Sequence, residues 1–292
     1  MKKITASIVT YQNKASELER AITSFLSSTL TGELFIIDNS PTPIASEVCK
    51  KFNCHYIFTG SNLGYGKAHN LAMQKSIGQS SYHLVLNPDV YFESDVLKKL
   101  FDFMEEQPQV GLVMPKVLYP NGATQRICKL LPTPLNLATR RFLPSSNWSK
   151  KINDRYEMNF SNYNKIMSVP FLSGCFMFLR TSALQQVGLF DERFFLYAED
   201  TDLSRRMHRE FSTVFYPLAE IFHTHARGSY KDIMLTWHNF KSAVQYFNKW
   251  GWIFDQERKT INEAAGALPH TSTTYQSISL NGRTMAHRSM NE

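Results

Sequence analysis

The first half of the chain alternates short apolar segments, rich in β-branched residues, with amphipathic segments. The apolar segments are ITASIVTY (4–11), GELFIIDNS (32–40), HYIFTG (55–60) and YHLVLNPDV (82–90). Between the first two lies ASELERAITSFLSS, where apolar residues recur at spacings of three and four, as on one face of a helix. Strands separated by helices of this length predict an α/β fold with parallel strands.

Composition and charge limit the classes of protein that fit this chain. Hydrophobic residues make up 43% of its 292 residues, enough for one large core, which excludes general disorder. The formal net charge of +7 indicates anionic partners, such as phosphate esters, nucleic acid or an acidic membrane face. Because no nucleic-acid-binding motif is present, we do not expect nucleic acid as a partner.

Cysteine spacing and hydropathy indicate the compartment. The four cysteines form no CxxC pair, and we interpret them as free thiols in a reducing environment. The N-terminal residues contain no signal-peptide core, and no apolar run reaches the roughly 18 residues that cross a bilayer. We therefore expect a cytoplasmic protein, either soluble or peripheral on the cytoplasmic face of the inner membrane.

Polar residues follow two of the predicted strands. Asp38 ends the second apolar segment, and Asn87-Pro88-Asp89 ends the fourth. In open parallel sheets, ligands bind beyond the carboxyl ends of strands. Asp89 is therefore a candidate oxygen ligand for Mg²⁺ or Mn²⁺, although Asn-Pro-Asp is also an ordinary turn sequence.

The glycine-rich stretch GSNLGYGKAHN (60–70) precedes a predicted helix. Glycines at such a position allow the backbone to approach a ligand closely. The stretch lacks the spacings of a dinucleotide fingerprint and of a P-loop, so neither of these sites is predicted.

The block FFLYAEDTDLSRR (194–206) sets Glu199, Asp200 and Asp202 against aromatic and apolar residues. One interpretation is a helix start, where acids favour the helix dipole and Asp202 pairs with Arg205 and Arg206. This interpretation explains Asp202 but not Glu199 and Asp200, which follow aromatic and apolar residues. Apolar surroundings raise the pKa of a carboxyl group, and such a group is suited to act as a general base.

His223 and His225 form an H-x-H pair after a strand that ends at Pro217. Alternation along a strand places both rings on one face, which would suit a metal pair. It is equally compatible with one ring facing phosphates and the other filling space.

Taken in order, these segments resemble the family 2 glycosyltransferases of GT-A fold, in particular the bacterial rhamnosyltransferase-like branch that builds cell-surface polysaccharide such as O-antigen. The segments that carry the resemblance are SIVTYQN with IIDNS, NLGYGKAHN, VLNPDV, FLSGCFMFLR, GLFDERFFLYAEDTDLSRR and YPLAEIFHTHARGS. The resemblance implies a Rossmann-like α/β fold with a mixed central sheet, followed by a C-terminal aromatic helical segment. It also implies inverting transfer of a sugar from a nucleotide diphosphate to an acceptor hydroxyl.

The resemblance also implies a role for each matching residue. The base is Asp200, with Glu199 and Asp202 shaping the acceptor side. Metal binding, to Mg²⁺ or Mn²⁺, falls to Asp89 and His223. The nucleotide-sugar site comprises Thr10, Tyr11, Asp38, Asn62, Gly64, Asn87 and Asp89. Many family members carry an acid at the position of Asn87, so we expect weak metal retention without nucleotide.

The same resemblance divides the chain into regions. Residues 1–122 form the nucleotide-sugar-binding half, 123–168 a mobile basic insertion or lobe, and 169–230 the acceptor and catalytic half. An aromatic helical region follows at 231–262, and residues 263–292 lack an apolar period, which predicts a disordered tail.

The expected partners are a nucleotide-diphospho-sugar donor and a saccharide acceptor on polyprenyl diphosphate. The most favoured donor is dTDP-rhamnose; a UDP-sugar donor and a catalytically silent sugar-nucleotide binder are the alternatives. A group of basic residues and a group of aromatic residues are compatible with binding to a membrane surface. They are equally compatible with aromatic side chains that pack onto the core or a dimer interface and with charges that are solvated. The two groups are the basic residues Arg126, Lys129, Arg140, Arg141, Lys150 and Lys151, and the aromatic residues Trp237, Phe240, Tyr246, Phe247, Trp250 and Trp252. The sequence predicts no oligomeric state.

Overall fold

The computed structural model describes residues 2–142, 146–224 and 233–266. Within these ranges the chain forms eleven strands. They are β1 (Lys2–Thr10), β2 (Thr31–Asp38), β3 (His55–Phe58), β4 (Ser80–Leu86), β5 (Val90–Phe92), β6 (Val110–Leu118), β7 (Cys128–Lys129), β8 (Met167–Ser168), β9 (Phe171–Leu172), β10 (Phe176–Arg180) and β11 (Ser212–His223).

The helices alternate with the strands in the first half and cluster in the second. They are α1 (Ala15–Leu26), α2 (Ser46–Phe52), α3 (Tyr65–Ser76), α4 (Val96–Glu106), α5 (Pro134–Phe142), α6 (Asn147–Tyr156), α7 (Thr181–Val187), α8 (Glu199–Glu210), α9 (Ile233–Trp250) and α10 (Gln256–Gly266). A short 3₁₀ turn lies at Asn159–Ser161.

One mixed sheet runs through the molecule in the order β3-β2-β1-β4-β10-β6-β11-β5, with β8 paired to β11. Strands β1 to β4 are parallel to one another, as the alternating pattern predicted. Strand β10 is antiparallel to both β4 and β6, whereas β11 is parallel to β6. Strands β7 and β9 form a separate antiparallel pair. The predicted α/β fold with a mixed central sheet is confirmed.

Both faces of the sheet are covered by helices. Ile8 and Ile36 lie in the same apolar cluster as Ile22 of α1, while Val9 belongs to a second cluster with Ala68 of α3. Successive strand residues point to opposite faces, so α1 and α3 cover opposite sides of β1. Fully buried aliphatic side chains of this kind each stabilise the fold by about 1.5–3 kcal/mol relative to exposure.

The basic segment 123–168 has more regular structure than its weak periodicity predicted. It contributes β7, β8 and the helices α5 and α6, and α5 packs against α6. Arg140 of α5 forms a salt bridge with Glu157 at 2.8 Å, and Tyr156 is buried. The periodicity is weak because α6 buries little besides Ser149 and Tyr156.

The predicted helical region 231–262 contains two helices, and the second extends four residues beyond it. Helix α9 ends at Trp250, Gly251 adopts a φ of 101°, and α10 then continues to Gly266. The Asn262 side chain exchanges hydrogen bonds of 2.8 and 2.9 Å with the backbone of Leu131. Residues 263–266, predicted as the start of a disordered tail, are therefore helical, and 267–292 lie outside the described residues. None of the described helices is long and apolar enough to cross a membrane.

Arg205 joins α10 to α8. The sequence predicted that Arg205 would pair with Asp202, but its guanidinium instead contacts Asp255 at 2.7 Å and Glu257 at 2.6 Å. Its side chain is 1% exposed and lies 4.1 Å from the centre of the Trp250 ring. The reason is geometric: Arg205 points to the buried side of α8, where the C-terminal segment places the carboxylates of Asp255 and Glu257.

We expect Arg205→Met to lower the free energy of unfolding by about 3–5 kcal/mol, because it removes the closest cation from the buried Asp255 carboxylate. Urea unfolding followed by circular dichroism measures this change. Lys98→Met is the control: it removes an exposed pair with Asp102 and should cost less than about 1 kcal/mol. Equal losses in the two variants would contradict the role given to Arg205.

Candidate active site

The polar strand ends predicted from the sequence lie at one edge of the sheet. Thr10 at the end of β1 is the register partner of Asp38 at the end of β2. Ile8 of β1 is likewise the partner of Leu86, the last residue of β4 before Asn87. The parallel strands thus bring these residues to a common edge.

The antiparallel strand β10 adds a second set of residues to this edge. Just before β10, the carbonyl of Cys175 accepts a hydrogen bond from the backbone N–H of Asn87 at 2.9 Å. The N–H of Gly174 donates to the Asp200 carboxylate, also at 2.9 Å. The Tyr65 hydroxyl lies 2.6 Å from the Gly174 carbonyl and 3.0 Å from Asn87 Oδ1. Residues from four distant parts of the chain therefore meet at one point.

Asp38 is fully buried, and both of its carboxylate oxygens are occupied. They accept hydrogen bonds from the backbone N–H groups of Ser40 and Ala45, each at 3.0 Å, and from the Tyr56 hydroxyl at 2.8 Å. Burial, together with the hydrogen bond to Asp38, raises the pKa of Tyr56. Because Asp38 is fully buried, its predicted contact with a nucleotide base would require neighbouring groups to move.

The other residues predicted for the nucleotide surround the same strand ends. Thr10 is buried and donates to Asn13 Oδ1 at 3.2 Å, while Tyr11 is half exposed. The side-chain oxygen of Asn62 accepts the N–H of Gly64 at 2.9 Å, which fixes the glycine-rich loop. The exposed ring of Tyr11 offers an accessible surface against which a planar group, such as a nucleotide base, can pack.

Asp89 and His223 form a pair beside the Asn87 turn. Nε2 of His223 lies 3.3 Å from Oδ1 of Asp89, and Nδ1 lies 3.1 Å from Oε1 of Gln125. Burial alone would lower the pKa of His223, but the nearby Cys175 and Asp89 outweigh burial and raise it to about 10. The predicted metal ligands are therefore brought together by strands β5 and β11.

The donor set fits a metal ion that is completed by a substrate. Among residues 2–142, 146–224 and 233–266, no group of three or more His, Cys, Asp or Glu side chains is placed to hold a metal. Asp89 and His223 supply one carboxylate and one imidazole, and Mg²⁺ commonly binds one or two carboxylates plus substrate phosphates. His225, the other half of the H-x-H pair, lies outside the described residues.

Asp200 and Glu199 open helix α8. One oxygen of Asp200 accepts from Gly174 N–H, and the other accepts from Thr201 N–H at 2.8 Å. Asp200 is partly exposed, whereas Glu199 is 4% exposed. Oε2 of Glu199 has no hydrogen-bond partner among the described residues.

Burial raises the pKa of both carboxyl groups, and the charge of Asp200 raises that of Glu199 further. The N–H groups of Gly174 and Thr201, together with Lys129, oppose the rise at Asp200. The pKa of Glu199 is raised more strongly than that of Asp200, so Glu199 holds a proton more readily than Asp200 does. A carboxylate that is ionised, partly exposed and held by backbone donors is suited to accept a proton.

Asp202 lies away from this edge, contrary to its predicted place among the catalytic residues. It is 0% exposed, and its oxygens contact Arg206 at 2.8 Å, Lys249 at 2.6 Å and the Trp250 indole N–H at 2.8 Å. Two cations and an indole leave Asp202 no oxygen for a ligand. Its carboxylate stabilises the packing of α9 on α8, and the predicted Arg206 pair is present.

The glycine-rich loop touches the segment that leads into Asp200. The carbonyl of Phe195 accepts the N–H of Tyr65 at 2.9 Å, and a Cβ on Gly64, whose φ is 86°, would lie 2.3 Å from that carbonyl oxygen. Tyr197 and Ala198 have φ values of 68° and 66°, which non-glycine residues rarely adopt. Strained backbone is thus held directly before the Glu199–Asp200 pair, as at many functional sites.

The sequence analysis predicted no role for Tyr65, and it named Lys129 only among the basic residues of the 123–168 segment. Burial raises the pKa of Tyr65 well above its ordinary value, and the charges of Glu199, Asp200 and Asp89 add to the effect. The hydroxyl therefore stays protonated and serves as a donor between the two halves of the site. Its position directly after Gly64 in the glycine-rich loop was the available signal.

We expect Gly64→Ala to destabilise the protein more than Gly78→Ala. Both glycines have positive φ, but a Cβ at Gly78 meets nothing within 4 Å, so that variant should lose only the roughly 1–2 kcal/mol of a left-handed residue. The clash with Phe195 should add about 1–3 kcal/mol of overpacking at Gly64. Chemical unfolding of the two variants measures the difference, and similar losses would show that the loop is not constrained by Phe195.

The chain shares sequence with known enzymes. The family described as Glycosyl transferase family 2 matches residues 6–188. An N-acetylglucosaminyl-diphospho-decaprenol L-rhamnosyltransferase of Mycobacterium tuberculosis is 29% identical over 244 residues, covering 77% of this chain and 76% of the relative. Rhamnosyltransferase WbbL of Escherichia coli K12 is 23% identical over 229 residues, covering 73% and 81% respectively.

Two solved structures share the fold. One is GalNAc-T7 with UDP, GalNAc and Mn²⁺, with a TM-score of 0.57, 15% identity and coverage of 76% of this chain. The other is Staphylococcus aureus TarS, with a TM-score of 0.54, 17% identity and coverage of 89%. The alignments span only 43% and 42% of those two solved chains. The predicted GT-A fold is confirmed, and the chain belongs to glycosyltransferase family 2.

Proposed function

We propose that this glycosyltransferase moves L-rhamnose from dTDP-rhamnose, with inversion, to a hydroxyl of a saccharide carried on polyprenyl diphosphate, during assembly of O-antigen or another cell-surface polysaccharide. The observation that carries the proposal is the Asp200 carboxylate, fixed by two backbone N–H groups at the sheet edge where Asn87 and Asp89 lie. Two relatives named as rhamnosyltransferases, one of them acting on a decaprenol-linked sugar, support the donor and the acceptor.

Asp200 acts as the base in this proposal. Its ionised oxygen takes the proton of the acceptor hydroxyl as that oxygen attacks the sugar from the face opposite the leaving diphosphate. One base is sufficient for inversion, so a second ionised carboxylate is not required. Neutral Glu199 fits this arrangement, since a second negative charge would repel the developing alkoxide.

Asp89 and His223 would hold the divalent cation together with the donor diphosphate. Mg²⁺ or Mn²⁺ supplies charge stabilisation to the departing diphosphate when bound. With one protein carboxylate, affinity for the metal alone should be weak, and nucleotide and metal should bind together. Thr10, Tyr11, Asp38, Asn62 and Gly64 line the strand ends where the nucleotide would lie.

The aromatic residues of the C-terminal region divide into two groups. Tyr246 and Phe247 pack against Phe194 in the core, as the packing interpretation predicted. The beginning of α9 and the loop before α10 instead expose large apolar side chains: Ile233 at 88%, Trp237 at 59%, Phe240 at 60%, Ile253 at 78% and Phe254 at 97%. Exposed apolar side chains on a chain of net charge +7 support docking on an anionic membrane surface that carries the acceptor.

We expect Asp200→Asn to lower kcat by about 10²–10⁴-fold, the usual contribution of a general base, while the dissociation constant of the donor stays within about twofold. Single-turnover transfer assays and calorimetry measure the two quantities. Asp95→Asn is the matched control, since its exposed carboxylate lies at the start of α4 and pairs with Lys99. Unchanged turnover in Asp200→Asn would remove Asp200 as the base.

The pH profile of the wild-type enzyme gives a second readout of the same group. Because the pKa of Asp200 is raised, a larger fraction of this base is protonated at mildly acidic pH than for an ordinary aspartate. We expect kcat to fall on the acidic side at a pH above the ordinary aspartate pKa of about 3.9. A profile flat down to that pH would contradict the assignment.

We expect Asp89→Ala to weaken metal-dependent donor binding by at least about tenfold and to leave metal-free binding unchanged. Calorimetry or thermal shift with dTDP-rhamnose, UDP-sugars and GDP-sugars, each with and without Mg²⁺ or Mn²⁺, tests the residue and the donor together. A metal-dependent response to UDP-sugars alone would replace rhamnose as the donor sugar. No response to any nucleotide sugar would contradict both the proposed transfer reaction and the silent-binder alternative.

We expect the double variant Trp237→Ala/Phe240→Ala to bind anionic phospholipid vesicles at least about threefold more weakly than the wild-type protein, because it removes exposed apolar area. Co-sedimentation with vesicles containing phosphatidylglycerol measures the binding. Trp148→Ala is the control, as Trp148 is similarly exposed but lies on α6. Equal binding by all three proteins would place the membrane surface elsewhere.

A further inference from the structure

Lys129 is fixed at the rim of the active site by strand pairing. It ends β7, and its register partner in β9 is Phe171. Three residues after Phe171, the N–H of Gly174 holds the Asp200 carboxylate. Strand β9 is also tied to α8, since the backbone of Leu172 exchanges hydrogen bonds with the Ser204 hydroxyl. The position of Lys129 relative to Asp200 is therefore set by backbone structure.

The ammonium group of Lys129 has no anionic partner in direct contact. Among the described residues it makes neither a hydrogen bond nor a salt bridge, and its nitrogen lies 5.1 Å from the centre of the Phe171 ring. The neighbouring cation, Arg140, is instead paired with Glu157 at 2.8 Å. Within the described part of the chain Lys129 thus has no ion pair, and Asp200 and Glu157 act on it without direct contact. A partly buried charge without a close partner is costly.

Strand position separates Lys129 from the residues assigned to the donor diphosphate. Lys129 lies in the β7–β9 pair that leads to Gly174, whereas Asp89 and His223 are brought together by β5 and β11. Burial lowers the pKa of Lys129 and Arg140 adds to this, while Asp200, Glu157 and Cys175 act in the opposite direction. The surroundings of Lys129 therefore include the carboxylate of Asp200.

We infer that Lys129 binds a phosphate oxygen of the diphosphate that links the acceptor saccharide to its lipid. The inference rests on the proposed function, because it assumes that the acceptor hydroxyl lies at Asp200. A saccharide held there by its hydroxyl would carry its anomeric phosphate about one sugar ring away, at the rim of the site. The diphosphate would supply an anionic partner in direct contact, which none of the described residues provides.

The test compares wild-type protein with Lys129→Gln, and uses Lys165→Gln as the matched control, because Lys165 is an exposed lysine of the same 123–168 segment. The probes are a short-chain lipid diphosphate saccharide, the same saccharide as a phosphate-free alkyl glycoside, and dTDP-rhamnose. Calorimetric binding is measured for each probe, so the result does not depend on transfer. KM is measured alongside at pH 8, above the acidic limb of the profile.

We expect Lys129→Gln to weaken binding of the diphosphate acceptor, and to raise its KM, by about tenfold or more, as for loss of one charge-assisted contact. Binding of the phosphate-free glycoside and of dTDP-rhamnose should change by less than about twofold, and Lys165→Gln should match the wild type. Lys129→Arg should recover most of the affinity.

Three results would overturn the inference. Weaker dTDP-rhamnose binding would assign Lys129 to the donor diphosphate. An equal loss for the phosphate-free glycoside would mean that Lys129 contacts the sugar or acts through Asp200. Undiminished binding of the diphosphate acceptor, or no such binding by the wild type, would remove the site. A failure of the proposed function would give a different result: the diphosphate acceptor would bind, but no sugar would be transferred to it from any nucleotide sugar.

Discussion

The reversed direction of β10 is the constraint on which the active site depends. In a wholly parallel sheet, the start of each strand lies at the edge opposite the ligand site. Because β10 runs antiparallel between β4 and β6, Gly174 and Cys175 at its beginning lie at the ligand edge. There Gly174 holds Asp200 while Cys175 holds the backbone of Asn87, so one short turn links the proposed base to the proposed donor site.

The sequence predicted the strand ends better than it predicted the catalytic helix. Parallel strands bring their carboxyl ends together by geometry, so Asp38 and Asn87 could be placed from the alternating pattern alone. The pairing of Asp202 with Arg206 also follows local helix spacing. Arg205 could not be placed in this way, because its partners come from residues 255 and 257, about 50 positions later in the chain. Lys129 depends similarly on a two-residue strand pair that carries no periodic signal.

Two unfavourable features meet at the start of α8. Tyr197 and Ala198 adopt left-handed backbone conformations, and the adjacent Glu199 buries an oxygen without a partner among the described residues. Such features persist when the surrounding structure holds them in place. Here the contact between Gly64 and Phe195 and the ion cluster around Arg205 supply that support from the two flanks of the segment.

The hydrogen bonds to Asp200 come from main-chain N–H groups and the adjacent Thr201 side chain, with the principal bonds from Gly174 and Thr201 backbone. Backbone donors are present whatever side chains surround them. Substitutions of neighbouring side chains can therefore leave the Asp200 carboxylate in position. If Asp200 is the base, as proposed, this arrangement makes the scaffold evolvable, because the surroundings of the acceptor can change without each change having to rebuild the catalytic centre.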